Sequence, residues 1–265
     1  MFYGNVENDL WAMGLADLTA TVIVFVFSFA YSNSSIYDPY WSVYPIFISS
    51  YWIILIGDIG NMYRNCLVFA LVLVWGIRLT LNWARGWHGM MHQDWRYVQL
   101  KSETGPFYWL VSFLGIHLFP TLLVFLSCIP LYFIFQISAP LGIVDVIVFL
   151  VTGGAILIEA IADNQLRCFK QSADNEGKVM DRGLWSYSRH PNYFGEILFW
   201  FGLFLFILND YKPDRYWLVG GSVSIFLLFV FISIPMMEKR ELKKQGYKQY
   251  KEKVSVLIPL PNRKK

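Results

Sequence analysis

The sequence predicts an all-α, polytopic membrane protein with seven transmembrane helices, its N-terminus outside and its C-terminus in the cytoplasm. The chain is 56% hydrophobic and only 15% charged over 265 residues, with a mean hydropathy of +0.43, which argues against an ordinary soluble domain. Apolar stretches of about 20 residues recur along it, and lysines and arginines are unevenly distributed between them. The net charge of +3 is too small to indicate nucleic acid, and we expect no such partner.

The seven predicted spans are helical because lipid offers no hydrogen-bond partner to an unpaired strand. They cover residues 11–31, 41–56, 63–83, 107–135, 142–162, 194–208 and 217–236. The second and sixth are short and the fourth is long, so we expect tilt or a break there, with Pro120 kinking the fourth. Together the spans form a single membrane-embedded domain over residues 1–265.

Basic residues predict the orientation of the spans. Segments that share one side of the membrane hold 18 lysines and arginines: three in 85–106, five in 163–193 and ten in 237–265. The other side holds only Arg64, Lys212 and Arg215. Because positive residues are retained in the cytoplasm, we expect the C-terminus there. No basic residue precedes Arg64, so we expect the first segment to be a retained span and not a cleaved signal peptide.

Polar residues at the cytoplasmic ends of the second and third spans are candidates for a site. Asp38 at the mouth of the second span is either solvated or paired with another helix, and Tyr40 belongs either to an interfacial belt or to the site. Arg78, Asn82 and Arg85 follow one another on one face of the third span. Arg78 is one turn inside, where a charge usually faces a polar cavity or a counter-ion.

The next loop, HGMMHQDWRYVQL, adds Arg96 and Tyr97 to these candidates. Its two histidines, His88 and His92, have no evident third metal ligand in the sequence. The three cysteines are far apart and form neither a disulfide framework nor a metal-binding pair. We therefore expect no metal site.

The fifth span ends in a row of acids and bases along one helical face: Glu159, Asp163, Arg167 and Lys170. This spacing is typical of ion pairs that stabilise a helix. It also resembles a pattern in which carboxylates accept ribose hydroxyls while the bases bind phosphates. Both interpretations remain open.

A polar run precedes the sixth span and continues into it: Tyr187, Arg189, His190, Asn192 and Glu196. We expect the helix to begin near Asn192 or Tyr193, with Pro191 in its first turn. Free N–H groups at a helix N-terminus suit a phosphate or carboxylate. The alternative is that Arg189 and Glu196 form an ion pair that only stabilises the helix start.

The basic tail from residue 237 contains Tyr247 and Tyr250 and ends near the apolar run VLIPLP. It either lies on an anionic membrane surface or folds back over the polar run before the sixth span.

Four segments carry a family resemblance: WGIRLTLNWARGW…DWRY, ADNQLRCFK, SRHPNYFGEILFW and YKQY…LIP, between residues 75 and 261. In this order they resemble the steroid 5α-reductase family, in its uncharacterised bacterial-type branch. The run GLWSYSRHPNYFGE is similar to the G-L-[FW]-[ST]-Y-x-x-x-x-N-[FY]-x-G-E pattern of the eukaryotic steroid reductases.

The resemblance implies a seven-helix membrane enzyme, in a bacterial inner membrane or the endoplasmic reticulum, that binds NADPH from the cytoplasm. Its substrate would be an α,β-unsaturated 3-oxo steroid or a related lipid enone, whose carbon–carbon double bond it reduces. Residues 1–106 would supply the substrate-side helices and the first cytoplasmic loop, and residues 107–265 the cofactor-binding half. Matching positions assign the cofactor pocket to Asp163, Arg167, Tyr187, Asn192, Glu196 and Tyr250, with Glu159 and Lys170 as inexact matches. Further candidates for binding the cofactor are Arg78, Arg85, Arg96, Arg189 and His190.

In the implied reaction, hydride reaches the β-carbon of the enone and a hydrogen-bond donor stabilises the negative charge on the 3-oxo oxygen. The animal enzymes use a glutamate on the second span and a tyrosine on the third for that oxygen. Here the second span has no glutamate, and Asn82 stands where the tyrosine is expected. The catalytic candidates are therefore Asp38, Tyr40, Asn82 and Tyr97.

Two rival functions follow from the same residues. RHPNYFGE with the later EKREL also resembles the isoprenylcysteine carboxyl methyltransferases, which bind S-adenosylmethionine, although Glu238 and Glu241 are separated here and adjacent there. The second rival function is that of a sterol-binding membrane protein without catalysis. The intact cofactor-type residues favour an enzyme over such a protein. We expect membrane lipids around the protein and no obligate protein partner.

Overall fold

The structure, a computed structural model, describes residues 6–210 and 212–262. Its α-helices are α1 (Val6–Ala30), α2 (Tyr40–Ile56), α3 (Met62–Gly86), α4 (Trp95–Thr104), α5 (Tyr108–Val111), α6 (Phe119–Ile134), α7 (Ile143–Gln171), α8 (Pro191–Leu205), α9 (Val219–Leu228), α10 (Ile234–Glu241) and α11 (Tyr247–Lys253). No strand occurs among the described residues, which confirms the all-α prediction for them. The basic residues at 263–265, counted above in the tail, lie outside this part of the chain.

Seven helical segments of the described chain are long and apolar enough to cross a membrane, which confirms the predicted number. They are Asn8–Ala30, Ser34–Ile56, Met62–Gly86, Trp95–Ile134, Ile143–Gln171, Pro191–Asn209 and Pro213–Glu241. Several extend past the apolar stretches, because a helix can continue into polar sequence once it has formed. As a result the row from Glu159 to Lys170 is fully helical, and α4 occupies part of the expected loop 85–106. The orientation of the termini and the roles of the two halves remain predictions.

The long fourth span is irregular where the sequence predicted a break. A π-helical segment, Ser112–Leu118, separates α5 from α6, and Pro120 lies in the first turn of α6. Proline lacks the backbone N–H that a helix interior requires but that a first turn does not use. The irregularity is therefore a widened turn just before Pro120.

The chain divides into two compact units, and the first comprises the residues up to Gly142 together with Ile207–Gly221. Within it α2 packs against α3 and α6 around the fully buried Trp52 and Trp75. Arg64, at the start of α3, is also fully buried. Its guanidinium donates to the carbonyl oxygens of Ile137 (3.1 Å) and Ala139 (2.9 Å) just after α6, so this charge caps a helix end and is structural.

The second unit comprises Ile143–Phe206 and the chain from Ser222 onward. In it α7 packs along α8 at very short range. A Cβ atom on Gly195 would lie 2.8 Å from the carbonyl oxygen of Ala155, and one on Gly202 would lie 2.3 Å from Thr152 Oγ1. Only glycine allows the two backbones to approach so closely. These two spans therefore form a rigid pair on which the site of this unit is built.

The tail of the second unit folds back along the segment before α8, the second of the two arrangements considered for it. The Arg189 amide donates to the Ser255 carbonyl (2.8 Å), and the Ser188 hydroxyl donates to the Leu257 carbonyl (2.7 Å). The Leu260 amide donates to the Tyr187 carbonyl (3.1 Å). These bonds hold residues 187–189 in an extended path against the tail.

Candidate active site

In the first unit, Asp38 and Tyr97 form a carboxylate–phenol pair. Asp38 lies between a 3-10 turn, Ser34–Tyr37, and α2, while Tyr97 is in the first turn of α4. The Tyr97 hydroxyl donates to Asp38 Oδ1. Tyr97 is buried, whereas the Asp38 side chain keeps 17% of its surface exposed. The pair therefore combines a fixed phenol with an acid that a ligand can reach.

Local contacts explain why residues 59 positions apart meet here. Asp94 caps the N-terminus of α4 by accepting from the Arg96 amide (2.9 Å) and also accepts from Arg96 Nε (2.8 Å). The Asp94 amide donates to Ser35 Oγ (2.8 Å), which ties the start of α4 to the 3-10 turn. Arg96 Nη2 lies 4.0 Å from Asp38 Oδ1, so a cation borders the pair. Arg96 thus contacts this pair in the first unit, and its predicted role in cofactor binding stays a prediction.

Tyr40, the third catalytic candidate, faces a residue that the sequence analysis missed. Its hydroxyl donates to Asp17 Oδ1 (2.6 Å) on α1. Asp17 is 2% exposed inside the first span. A lone carboxylate within an apolar stretch is itself a signal for a functional site, and it was available in the sequence.

Asn82 and Arg78 are half-buried on α3, and Arg85 is exposed in its last turn. Their predicted roles in catalysis and cofactor binding stay predictions.

In the second unit, a cavity of about 480 Å³ lies between the end of α7, the loop that follows it, the start of α8 and helices α10 and α11. Five of the predicted cofactor residues line it: Lys170, Arg189, His190, Asn192 and Tyr250. The other five predicted on this unit do not line it: Glu159, Asp163, Arg167, Tyr187 and Glu196. The structure thus brings together the polar run before α8, the end of α7 and the tail.

Glu238 on α10 is the centre of charge beside this cavity. Its Oε1 lies 3.1 Å from Arg189 Nε and 3.7 Å from His190 Nε2, and its Oε2 lies 2.6 Å from Lys251 Nζ. The Arg189–Glu196 pair considered from the sequence is therefore not what holds Arg189. Glu196 instead accepts from the Trp200 indole (2.8 Å). Residue spacing could not predict the contact of Glu238 with Arg189, because Glu238 follows Arg189 by some fifty residues.

Asn192 lines the cavity and has a side-chain oxygen that can still accept a hydrogen bond. Its Nδ2 donates to Asp163 Oδ1 (3.1 Å), so an acid of α7 supports it from behind. Its Oδ1 is buried and has no hydrogen-bond partner among the described residues. Buried acceptors are nearly always paired in native proteins. This oxygen is therefore suited to accept a hydrogen bond from a bound ligand.

The two tail tyrosines are held as neutral phenols. The Tyr250 hydroxyl donates to the Trp185 carbonyl (2.5 Å), and the Trp185 indole donates to the Ala162 carbonyl (3.0 Å) on α7. Burial raises the pKa of Tyr250 well above its ordinary value. Burial, followed by the nearby negative charge of Glu238, raises the pKa of Tyr247 in the same way. Both side chains line the cavity as polar but uncharged groups.

The start of α8 confirms the predicted helix boundary, with Pro191 as its first residue. His190 stacks on Tyr193 at the cavity wall, with ring centroids 5.2 Å apart. His88 and His92 flank a short turn and are not on a helix, with ring centroids 5.4 Å apart. Among the described residues no group of three or more potential metal ligands was found.

Comparison with known proteins gives a family and two kinds of relative. The family described as "Protein of unknown function (DUF1295)" matches residues 24–254. The uncharacterized protein C594.04c of Schizosaccharomyces pombe is 24% identical over 251 residues, which cover 86% of this chain and 73% of that protein. Proteins named 3-oxo-5-alpha-steroid 4-dehydrogenase 1, from Macaca fascicularis and Homo sapiens, are 31% and 30% identical over 104 residues. That segment is 39% of this chain and only 36% and 37% of the two relatives. No solved structure matches the chain.

Proposed function

The chain belongs to the DUF1295 family and is distantly similar to 3-oxo-5-alpha-steroid 4-dehydrogenases, and from this premise we propose that it is an NADPH-dependent membrane reductase. Its substrate in this proposal is an α,β-unsaturated 3-oxo steroid or a related lipid enone, whose carbon–carbon double bond is reduced. The cavity beside Asn192 is the observation that carries the proposal. A free buried acceptor beside an arginine, a histidine and two neutral phenols fits a large polar ligand with both amide and phosphate groups.

NADPH would be held by residues of the second unit. Asn192 offers its free oxygen to an amide or hydroxyl donor, and Asp163 fixes the orientation of that side chain. Arg189 and Lys170 give positive charge to the wall for phosphate groups. When bound, NADPH supplies the hydride. The pocket residues bind and orient it, and the proposed cytoplasmic position of the site gives access to the nucleotide pool.

The chain's own contribution to the chemistry in this proposal is the Asp38–Tyr97 pair. Reduction of an enone builds negative charge on the 3-oxo oxygen, and an O–H donor aimed at that oxygen stabilises it. Because Tyr97 donates its one proton to Asp38 Oδ1, the O–H donor in this proposal is the partly exposed Asp38 carboxyl group in its protonated form, which Tyr97 orients. Arg96 places a positive charge close to both groups. Such a pair, set in a membrane-embedded unit, would hold the carbonyl end of a lipid where water is scarce.

One contact favours a second candidate function. The methyltransferase resemblance rests on an RHP run and a later glutamate helix, and here Arg189 and His190 do meet Glu238. This network is compatible with an S-adenosylmethionine site in the same cavity. The test therefore includes both cofactors.

The purified protein in detergent should be stabilised by NADPH in a thermal-shift titration, with NADH and S-adenosylmethionine as the comparisons. Loss of NADPH absorbance on adding testosterone or progesterone would then report turnover. Asn192→Ala should weaken NADPH binding roughly tenfold, since it removes the acceptor that Asp163 orients. Asn209→Ala, an asparagine outside the cavity lining, is the matched control. Stabilisation by S-adenosylmethionine alone would replace the reductase with the methyltransferase.

A further inference from the structure

Asp17 is a buried carboxyl group that the proposed reaction does not use. It lies within the first span and is 2% exposed. Its Oδ1 accepts from Tyr40, while its Oδ2 is buried and has no hydrogen-bond partner among the described residues. No lysine, arginine or histidine of the described chain forms an ion pair with it. Acids in membrane spans are costly and are seldom present without a function.

The packing of α1 does not require this acid. The Tyr44 hydroxyl donates to the Met13 carbonyl (2.9 Å), which joins α2 to α1 one turn away. Thr21 and Thr121 share a hydrogen bond of 3.0 Å that joins α1 to α6. These neutral contacts already hold α1 in place, so a purely structural role leaves the carboxyl group unexplained.

The Asp17 contact decides what Tyr40 can offer to a ligand. A phenol has one proton. Tyr40 directs it inward, to Asp17 Oδ1 at 2.6 Å and to the Asp17 carbonyl at 3.1 Å. What remains on the Tyr40 oxygen is acceptor capacity, and Tyr40 itself is only half-buried. It is therefore an acceptor for a donor group.

Tyr40 also lies beside the pair assigned to the enone. It packs against a buried apolar cluster formed by Tyr37, Tyr97 and Ile116. The rings of Tyr37 and Tyr40 have centroids 5.6 Å apart. Two carboxyl–phenol pairs, Asp38–Tyr97 and Asp17–Tyr40, thus adjoin one buried apolar cluster.

We propose that Tyr40, positioned by Asp17, binds a hydroxyl group that the lipid substrate carries away from its enone. This inference rests on the proposed function for the identity of the enone, but the hydrogen bond itself does not. A hydroxyl can donate to the Tyr40 oxygen, whereas a ketone at the same place cannot. Tyr40 is then a specificity residue, and Asp17 is its positioning residue.

Testosterone and androst-4-ene-3,17-dione provide the test, because they share the enone and differ in a hydroxyl or a ketone at the far end. Binding is measured by thermal shift without cofactor, and turnover by loss of NADPH absorbance. We expect the parent protein to prefer testosterone about tenfold in both assays. Tyr40→Phe should reduce the preference to less than twofold.

Asp17→Asn keeps the size of the side chain, so we expect this variant to fold like the parent. Its amide can donate to the Tyr40 oxygen and turn the phenol proton outward, so we expect the preference to vanish or to reverse towards the ketone. Thr19→Val is the matched control on α1, since Thr19 is exposed and bonds only to its own helix at the Leu15 carbonyl. This variant should keep the parent's preference.

The outcomes separate the two proposals. Hydroxyl-selective binding that depends on Tyr40, without turnover of either steroid, supports this site and refutes the reductase. Turnover of both steroids at equal efficiency supports the reductase and overturns this site. Binding of neither steroid, or a tenfold preference that survives both Tyr40→Phe and Asp17→Asn, also overturns it.

Discussion

Replacing Glu238 with alanine should destabilise the protein strongly, because it leaves buried positive charge without a partner. The Glu238 side chain is 9% exposed, and those of Arg189 and His190 are 8% and 6% exposed. Lys251 is 44% exposed and its charge is screened by water, so its ion pair with Glu238 contributes little to stability. Removing one member of a buried charged pair costs about 3–5 kcal/mol. For a chain of this size that corresponds to a fall in melting temperature of about 6–20 °C.

Thermal unfolding in detergent, followed by intrinsic tryptophan fluorescence, measures this fall. Glu241→Ala is the matched control, one turn later on α10, where the Lys244 partner at 2.7 Å is 29% exposed. We expect that control to lose about 1 kcal/mol or less. If Glu238→Ala melts within about 2 °C of the parent, or no lower than Glu241→Ala, then Glu238 does not hold the cavity wall together.

Two further predictions follow from packing and from titration. Gly195→Ala should destabilise the protein by about 1–3 kcal/mol in the same melting assay, since its Cβ would meet the α7 backbone. The control Gly153→Ala adds its Cβ to open space and should not destabilise the protein. Equal effects of the two substitutions would show that the close approach of α7 and α8 is unimportant. Tyr250→Phe should cost about 1–2 kcal/mol at pH 8. Because the folded state raises the pKa of Tyr250, it keeps a proton that the unfolded chain loses above about pH 10, so the parent's advantage should shrink between about pH 9 and pH 11. A gap that stays constant over this range would contradict the assigned burial of the phenol.

The seven membrane-spanning helices were predictable from the sequence, because a helix needs a minimum number of apolar residues to cross a bilayer. The helix bounds were less so: the apolar run ends near residue 162, but nothing there stops the α7 helix before Gln171. The start of α8 was predictable to within a residue or two, since Pro191 has a defined place in a first turn.

The site was predictable only where its residues are close in sequence. The polar run from Arg189 to Asn192 was predicted to belong to the site, but its contact with Glu238 was not, because long-range pairing leaves no periodic signal in the sequence. The same holds for the Tyr97–Asp38 contact. Asp17 is a different case, since an acid surrounded by apolar residues is itself a sequence signal for a functional position.

The close contact of α7 with α8 has a consequence for the order of assembly. The two spans are consecutive in the chain, and in lipid such helices associate through backbone proximity at glycines and not through expulsion of water. We expect this helical hairpin to form early, as soon as both spans are in the bilayer. Asp163 and Asn192, one on each helix, would then meet before α10 and α11 arrive. The first wall of the cavity is thus a product of the hairpin, and the tail is added to a surface that is already in place.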